Sequence, residues 1–354
     1  MKPGTFYVFA GLTAAAAVVA AGIAVSMQPD TTSLTAGTEP AFADLAKDVN
    51  SVARIEIKNA KQSFSMSRTG DNWGLDQKDG YRVDFAKVKS AIVNLSEFKL
   101  IEKKTSDPKR YERLELQAPT EADAKSRQVI LKDAKGMVLA DAIIGKLNPN
   151  LFGTGGAGTY IRRGDETATW LARGQVDLGA EPNNWMVRQI VNYGQEKVRR
   201  VVLEDPEGGR IVLNKTAVTD QNFTIENLPE GRTIKNKDEA DPVAGVMWRM
   251  MFDDVKKAEK QEWPAKPWVA HYTVWDGITV RIETAKFGED FWGRFQASLD
   301  DSVTDEKKKA AASKTVDEIN ARVTGWTYML TAGDSEKLTS KMEDYLAKPK
   351  KEGS

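Results

Sequence analysis

The chain has no cysteine. That excludes disulfides, thiolate nucleophiles, zinc–thiolate sites and iron–sulfur clusters. It also excludes a bacterial lipoprotein anchor, whose lipid is carried on a cysteine. A single histidine, His271, rules out any site built on two imidazoles, which removes most zinc hydrolases. Nor is charge of one sign in excess: Lys plus Arg and Asp plus Glu each number 51, so no bulk charge points to nucleic acid. No G-x-x-x-x-G-K-[ST] loop is present to cradle a nucleotide, and no G-x-S-x-G elbow to raise a serine nucleophile.

What remains is a folded chain with room for two domains: 354 residues, 41% hydrophobic and 29% charged. It opens with "MKPGTFYVFAGLTAAAAVVAAGIAVSMQPD", in which Phe6 to Met27 carries no charge. At 1.5 Å per residue that run crosses the roughly 30 Å hydrocarbon layer, and it exceeds the usual apolar core of a secretory signal. It reads as a single transmembrane helix over residues 6–27. Lys2 is the only charged side chain ahead of it, so the positive-inside rule holds residues 1–5 in the cytoplasm and places the bulk of the chain in the periplasm. The alternative is removal at the small residues Ala24-Val25-Ser26. Residues 28–48 form a tether that begins with the polar stretch Gln28 to Thr38.

The exported part reads as two copies of one module, over residues 49–195 and 196–347, with a tail at 348–354. "SVARIEIKN" (51–59) is echoed by "KVRRVVLED" (197–205), each alternating apolar and polar residues as a half-buried strand does. Further strands follow in both: "SFSMSR" and "NWGLD" in the first, "GRIVLNK" and "NFTIEN" in the second. A helix is expected next. In copy one Asp84 caps "FAKVKSAIVNLSEFKLIEKK", with Val88, Ile92, Leu95 and Phe98 on one core-facing side. In copy two Asp241 precedes "PVAGVMWRMMFDDVKKAEK", with Pro242 in the first turn.

Both copies then return to hairpins. "QVILKDAKGMVLADAIIGK" turns at Asp133 and Gly136, and "HYTVWDGITVRIETAKF" at Asp276-Gly277, a pair suited to a two-residue turn. "TYIRR" and "ATWLAR" in the first copy match "FWGRFQASL" and "GWTYMLTAG" in the second. Closing helices are expected at "NNWMVRQIVNYG" and "SEKLTSKMEDYLAK". The main difference is the charged insertion 300–320, "DDSVTDEKKKAAASKTVDEIN", expected as a solvated helix where copy one has a tight turn. The fold class is α+β: an N-terminal transmembrane helix, then two tandem antiparallel-sheet-plus-helix modules.

"LFGTGGAGTYIRR" holds Gly153-x-Gly155-x-x-Gly158, the spacing of a dinucleotide-binding loop. Such a loop needs a strand before it and a helix starting at its last glycine. Here Pro149 interrupts the preceding segment and a strand pattern follows Gly158, so the glycines read as a strand-to-strand connection. No cofactor, no metal and no nucleotide is expected. Among the acids, Asp253-Asp254, Glu289-Asp290 and Asp300-Asp301 are neighbours in sequence, and adjacent side chains diverge. His271, beside Tyr272 at a strand start, reads as structural. Nine tryptophans are many, and those near turns can fill cores or anchor a partner. The candidate contact patch is Tyr160, Arg162, Arg163, Trp263 and Trp268, with no catalytic residue assigned.

The apolar leader, "VARIEI", "WGL", "DFAKVKSAIVNLSEFKLIEKKTSDPKRYERLEL", "GTYIRR" and "WLA" together resemble the domain-of-unknown-function 4340 family of bacterial envelope proteins. The similarity is clearest from Val52 to Asn192, and "WTYMLTAGDSEKLTSKMEDYLA" resembles that family's carboxyl end. These motifs are structural and carry over no catalytic residue. Members are often encoded beside a gliding-motility-type ABC transporter and its auxiliary membrane subunit. The resemblance thus implies an accessory envelope protein docking to ABC transporter subunits from the periplasmic side. The expectation is a non-enzymatic, membrane-anchored binding module held in the bacterial inner membrane by Phe6 to Met27. An envelope hydrolase or transferase acting on glycans with paired carboxylates is the alternative, and an inert spacer a third reading.

Overall fold

In the computed structural model, residues 39–151 and 156–348 are described. The expected membrane helix, most of the tether and nearly all of the tail lie outside these residues. Among the described residues no helix is long and apolar enough to cross a membrane.

The chain is α+β, with antiparallel sheets throughout. It divides into two compact units. One holds the residues up to Ser65 together with Ala86–Ala180; the other holds Met66–Phe85 and Glu181–Ser354. The second unit therefore contains a piece of the first sequence copy, residues 66–85, as well as that copy's closing segment.

In the first unit, β1 (Val52–Lys58), β6 (Arg127–Asp133), β7 (Val138–Asn148), β8 (Gly158–Arg163), β9 (Thr169–Arg173) and β5 (Lys99–Lys103) pair in that order, each antiparallel to the next. In β1, Val52, Ile55 and Ile57 are buried while their neighbours are only half so, a one-sided pattern that fixes register. The sheet packs on α1 (Ala43–Lys47), through Leu45, and shares the unit's core with α2 (Phe85–Ser96), through Val88, Ala91, Ile92 and Leu95.

The second unit repeats this ladder strand for strand: β11 (Val198–Glu204), β15 (Trp268–Val274), β16 (Ile278–Phe287), β17 (Asp290–Leu299), β18 (Trp326–Leu330) and β14 (Met250–Lys257). A further strand, β10 (Gln189–Val191), extends it beyond β14, and β12 (Arg210–Asn214) and β13 (Thr224–Ile225) extend it beyond β11. Two short turns repeat as well. Asn184 accepts a hydrogen bond from the Glu181 amide at 2.9 Å, and Asp344 accepts one from the Lys341 amide at 2.7 Å. Each turn is followed by a buried aromatic, Trp185 or Tyr345, and then by an isolated bridge, Val83 to Met186 or Ile234 to Leu346.

Four expected helices are corrected. The copy-one helix stops at Ser96, and Phe98 is buried as the chain enters β5. In copy two only α4 (Asp241–Ala244) and a 3-10 turn (Gly245–Met247) are helical. Arg249, at φ 48°, breaks the path, and the rest of the expected helix is β14 followed by a 3-10 turn at Ala258–Lys260. Finally, "NNWMVRQIVNYG" forms a 3-10 turn and β10 rather than a helix, its apolar residues Ile190 and Val191 being buried. The closing segment of copy two is helical only in α6 (Ala332–Leu338) and in the turn at Met342–Asp344.

The insertion is helical, as α5 (Glu306–Val323), with Asp305 accepting from the Lys308 amide as its N-cap. It is not only solvated: Ala312, Ile319 and Val323 are buried, and the helix packs on β17. The Asp276-Gly277 hairpin uses a three-residue loop, Val274 pairing with Ile278 and Gly277 adopting φ 86°.

Candidate functional site

The glycine loop joins β7 to β8, which pair antiparallel, and Gly158 is the first residue of β8. No helix starts there to aim amides at a pyrophosphate. Gly153 and Gly155 lie outside the described residues.

The adjacent acids go to separate partners. Asp253 accepts from Arg188 at 2.8 Å, while Asp254 pairs with Lys78. Asp300 holds Arg199 at 2.8 Å, and Glu289 stands in solvent. His271 lies within β15, half-buried between Val202 and Arg281. Burial, and then the Arg281 guanidinium, hold its pKa below the ordinary imidazole value, so it is neutral at pH 7. Among the described residues, no group of three His, Asp or Glu side chains is placed to hold a metal.

The candidate patch divides between the two units. Tyr160, Arg162 and Arg163 stand on β8. Tyr160 packs against the cluster of Tyr111, Leu116 and Ile143. Arg162 donates to the Glu166 carbonyl at 3.2 Å and lies 5.0 Å from the Tyr111 ring centre. Arg163 pairs with Glu166 at 2.9 Å. Both arginines thus brace the turn between β8 and β9. Trp263 and Trp268 belong to the second unit. Trp268 meets Phe291 edge-on and borders a recess of about 180 Å³ beside Leu338 and Lys341.

Trp263 leads to a larger feature. It packs against Phe287, and the Arg294 guanidinium lies 4.2 Å from its ring centre. Arg294 lines a cleft of about 470 Å³ together with Glu259, Arg281, Glu283, Gln296 and Trp326. The strand register explains why the polar residues meet. Arg281 pairs with Gln296 and Glu283 with Arg294 across β16 and β17, so alternate positions of both strands share one face. Thr324 and Gly325, in the turn after α5, close one side, and the Gly325 carbonyl accepts from the Ala258 amide at 2.9 Å. Arg281 and Glu283 form an ion pair. Trp326 is held edge-on by Tyr81 at 4.9 Å and capped by the Lys257 ammonium at 4.3 Å.

The sequence reading picked out Trp263 but neither the cleft nor Arg294. The signal was there in "VRIETAK" and "GRFQAS", where Arg281 and Glu283, and Arg294 and Gln296, stand two apart on either side of an apolar Ile282 or Phe295. Trp248, 61% exposed on the turn before Arg249, was also missed.

The family described as Domain of unknown function (DUF4340) matches residues 73–264, more than half of the chain. No curated protein and no solved structure matches it.

Proposed function

This chain belongs to the DUF4340 family, and we propose that it is a non-enzymatic, membrane-anchored accessory protein of the bacterial envelope. In this reading the uncharged run Phe6 to Met27 spans the inner membrane, residues 1–5 stay in the cytoplasm, and the sheet-built body stands in the periplasm. The body presents its surface to a membrane partner, an ABC-type transport system being the proposed one. The observation that carries the binding reading is the commitment of acids and arginines to architecture. Asp253, Asp254 and Asp300 each hold a cation of their own, and Arg162 and Arg163 brace a turn. Crosslinking in intact cells, with mass-spectrometric identification, tests it. Transport subunits should be recovered repeatedly, and the anchored chain should stay in the membrane fraction. A mature polypeptide free in the periplasm and starting after Ser26 would refute the anchor; recovery of no membrane protein would refute the partnership.

One observation favours the glycan-acting alternative. Glu259 and Glu283 line the same cleft as Trp326, and a glycosidase needs two carboxylates in one cleft. Glu283 is already engaged in an ion pair with Arg281, so its carboxylate is not free to face a substrate. Release of reducing sugar from envelope polysaccharide, abolished by Glu259→Gln, would establish this alternative in place of the first.

A further inference from the structure

We propose that the cleft over the β16–β17 hairpin is a binding site for an acidic saccharide, with Arg294 receiving the carboxylate. The proposal goes beyond the anchored-accessory reading and does not depend on it.

Arg294 is the decisive group. Arg281 and Glu283 neutralise one another, whereas among the described residues no carboxylate pairs with Arg294. Its Nη2 reaches the Gln261 carbonyl only at 3.4 Å, and its Nε is buried with no hydrogen-bond partner. Stacking on Trp263 orients the guanidinium but satisfies none of its N–H groups. A cation so held is costly when alone and well placed for an incoming anion. Its planar fork matches a carboxylate, which takes two parallel hydrogen bonds.

The rest of the cleft selects what carries that carboxylate. Gln296, Glu283 and Glu259 supply planar acceptors, and Gln296 a donor, of the kind that chelate neighbouring hydroxyls. Trp326 lines the same space and offers an apolar wall to the C–H face of a sugar ring. A space of about 470 Å³ falls within the range of small-molecule sites.

Full-length protein in detergent, titrated by calorimetry and ligand-observed NMR with glucuronic acid, glucose and N-acetyl-dialanine, tests the assignment. Glucuronic acid should bind saturably, and glucose about tenfold or more weakly, because it lacks the charge-assisted pair. Arg294→Gln should weaken glucuronic acid by about tenfold or more. Gln296→Ala, at an exposed position, should weaken it severalfold while leaving the melting temperature unchanged. Equal binding of glucose and glucuronic acid would overturn the role of Arg294. N-acetyl-dialanine binding in place of glucuronic acid would overturn the saccharide assignment. No saturable binding by any probe, or wild-type affinity in the Gln296→Ala variant, would overturn the site.

Discussion

Tyr81 belongs to the first sequence copy, yet its ring is buried in the second unit. It meets Trp326 at 4.9 Å, Phe252 at 5.4 Å and Tyr328 at 6.1 Å, each edge-on. Its hydroxyl donates to the Val187 carbonyl at 3.3 Å. Truncation to alanine removes a fully packed aromatic, a change that costs about 3–5 kcal/mol, edge-on contacts included. In a unit of this size each kcal/mol shifts the melting temperature by roughly 2–4 °C, so the loss should be on the order of 10 °C. Tyr81→Phe keeps the ring and gives up the hydroxyl's polar contacts with the Val187 carbonyl and the Arg82 and Tyr328 side chains, so about 1–2 kcal/mol is expected. Hydrogen exchange read by mass spectrometry locates the damage. In Tyr81→Ala, β14 and β18 should exchange faster while β1 and β6 keep their protection. Loosening confined to β1 and β6 would refute the assignment of residues 66–85 to the second unit.

Three more outcomes follow from local geometry. Burial acts against the charge of Glu56, but Lys132 at 2.8 Å and Arg54 at 3.0 Å outweigh it and hold the carboxyl below its ordinary value. A depressed folded-state pKa stabilises at neutral pH and is lost as pH falls below 4.5 and through the folded value. Denaturation midpoints should therefore drop over that range, and drop less in Glu56→Gln. His271 has its pKa lowered chiefly by burial, so the unfolded chain takes up its proton first. Stability should fall as pH falls below 6.5, and the single imidazole's NMR titration should have its midpoint under that value. Gly145→Ala would place a Cβ 2.4 Å from the Leu114 carbonyl oxygen and 2.7 Å from that of Glu115. A loss of about 1–3 kcal/mol in urea unfolding is expected, because two backbone atoms must move.

Much of the sheet was legible because its strands bury one side. In "VARIEI" and "RRVVLE" the apolar residues fall where a pleated, half-buried surface needs them. The misread helices have a common cause. Val246, Met247 and Met250 recur at helical spacing, and the register shift between Phe252 and Asp254 in β14 breaks the strict alternation that would have marked a strand. A similar shift between Leu100 and Glu102 hides β5. The membership of residues 66–85 was not legible, since Tyr81 finds Phe252 and Trp326 through packing between distant parts of the chain. The cleft was half legible. The alternation of Arg281 with Glu283 and of Arg294 with Gln296 is local, but the loop that brings Trp263 over Arg294 is not.

The β17–β18 connection has a practical meaning for anyone wishing to tag this protein. At that point copy two accommodates residues 300–325, including all of α5, where copy one closes with 164–168 alone. Two ladders of the same strand order thus carry connections of very different length at this point. The corresponding bend in copy one, after Asp165, is therefore the natural socket for an epitope or a fluorescent reporter, since a graft there lengthens a connection that the same ladder already tolerates at more than one length.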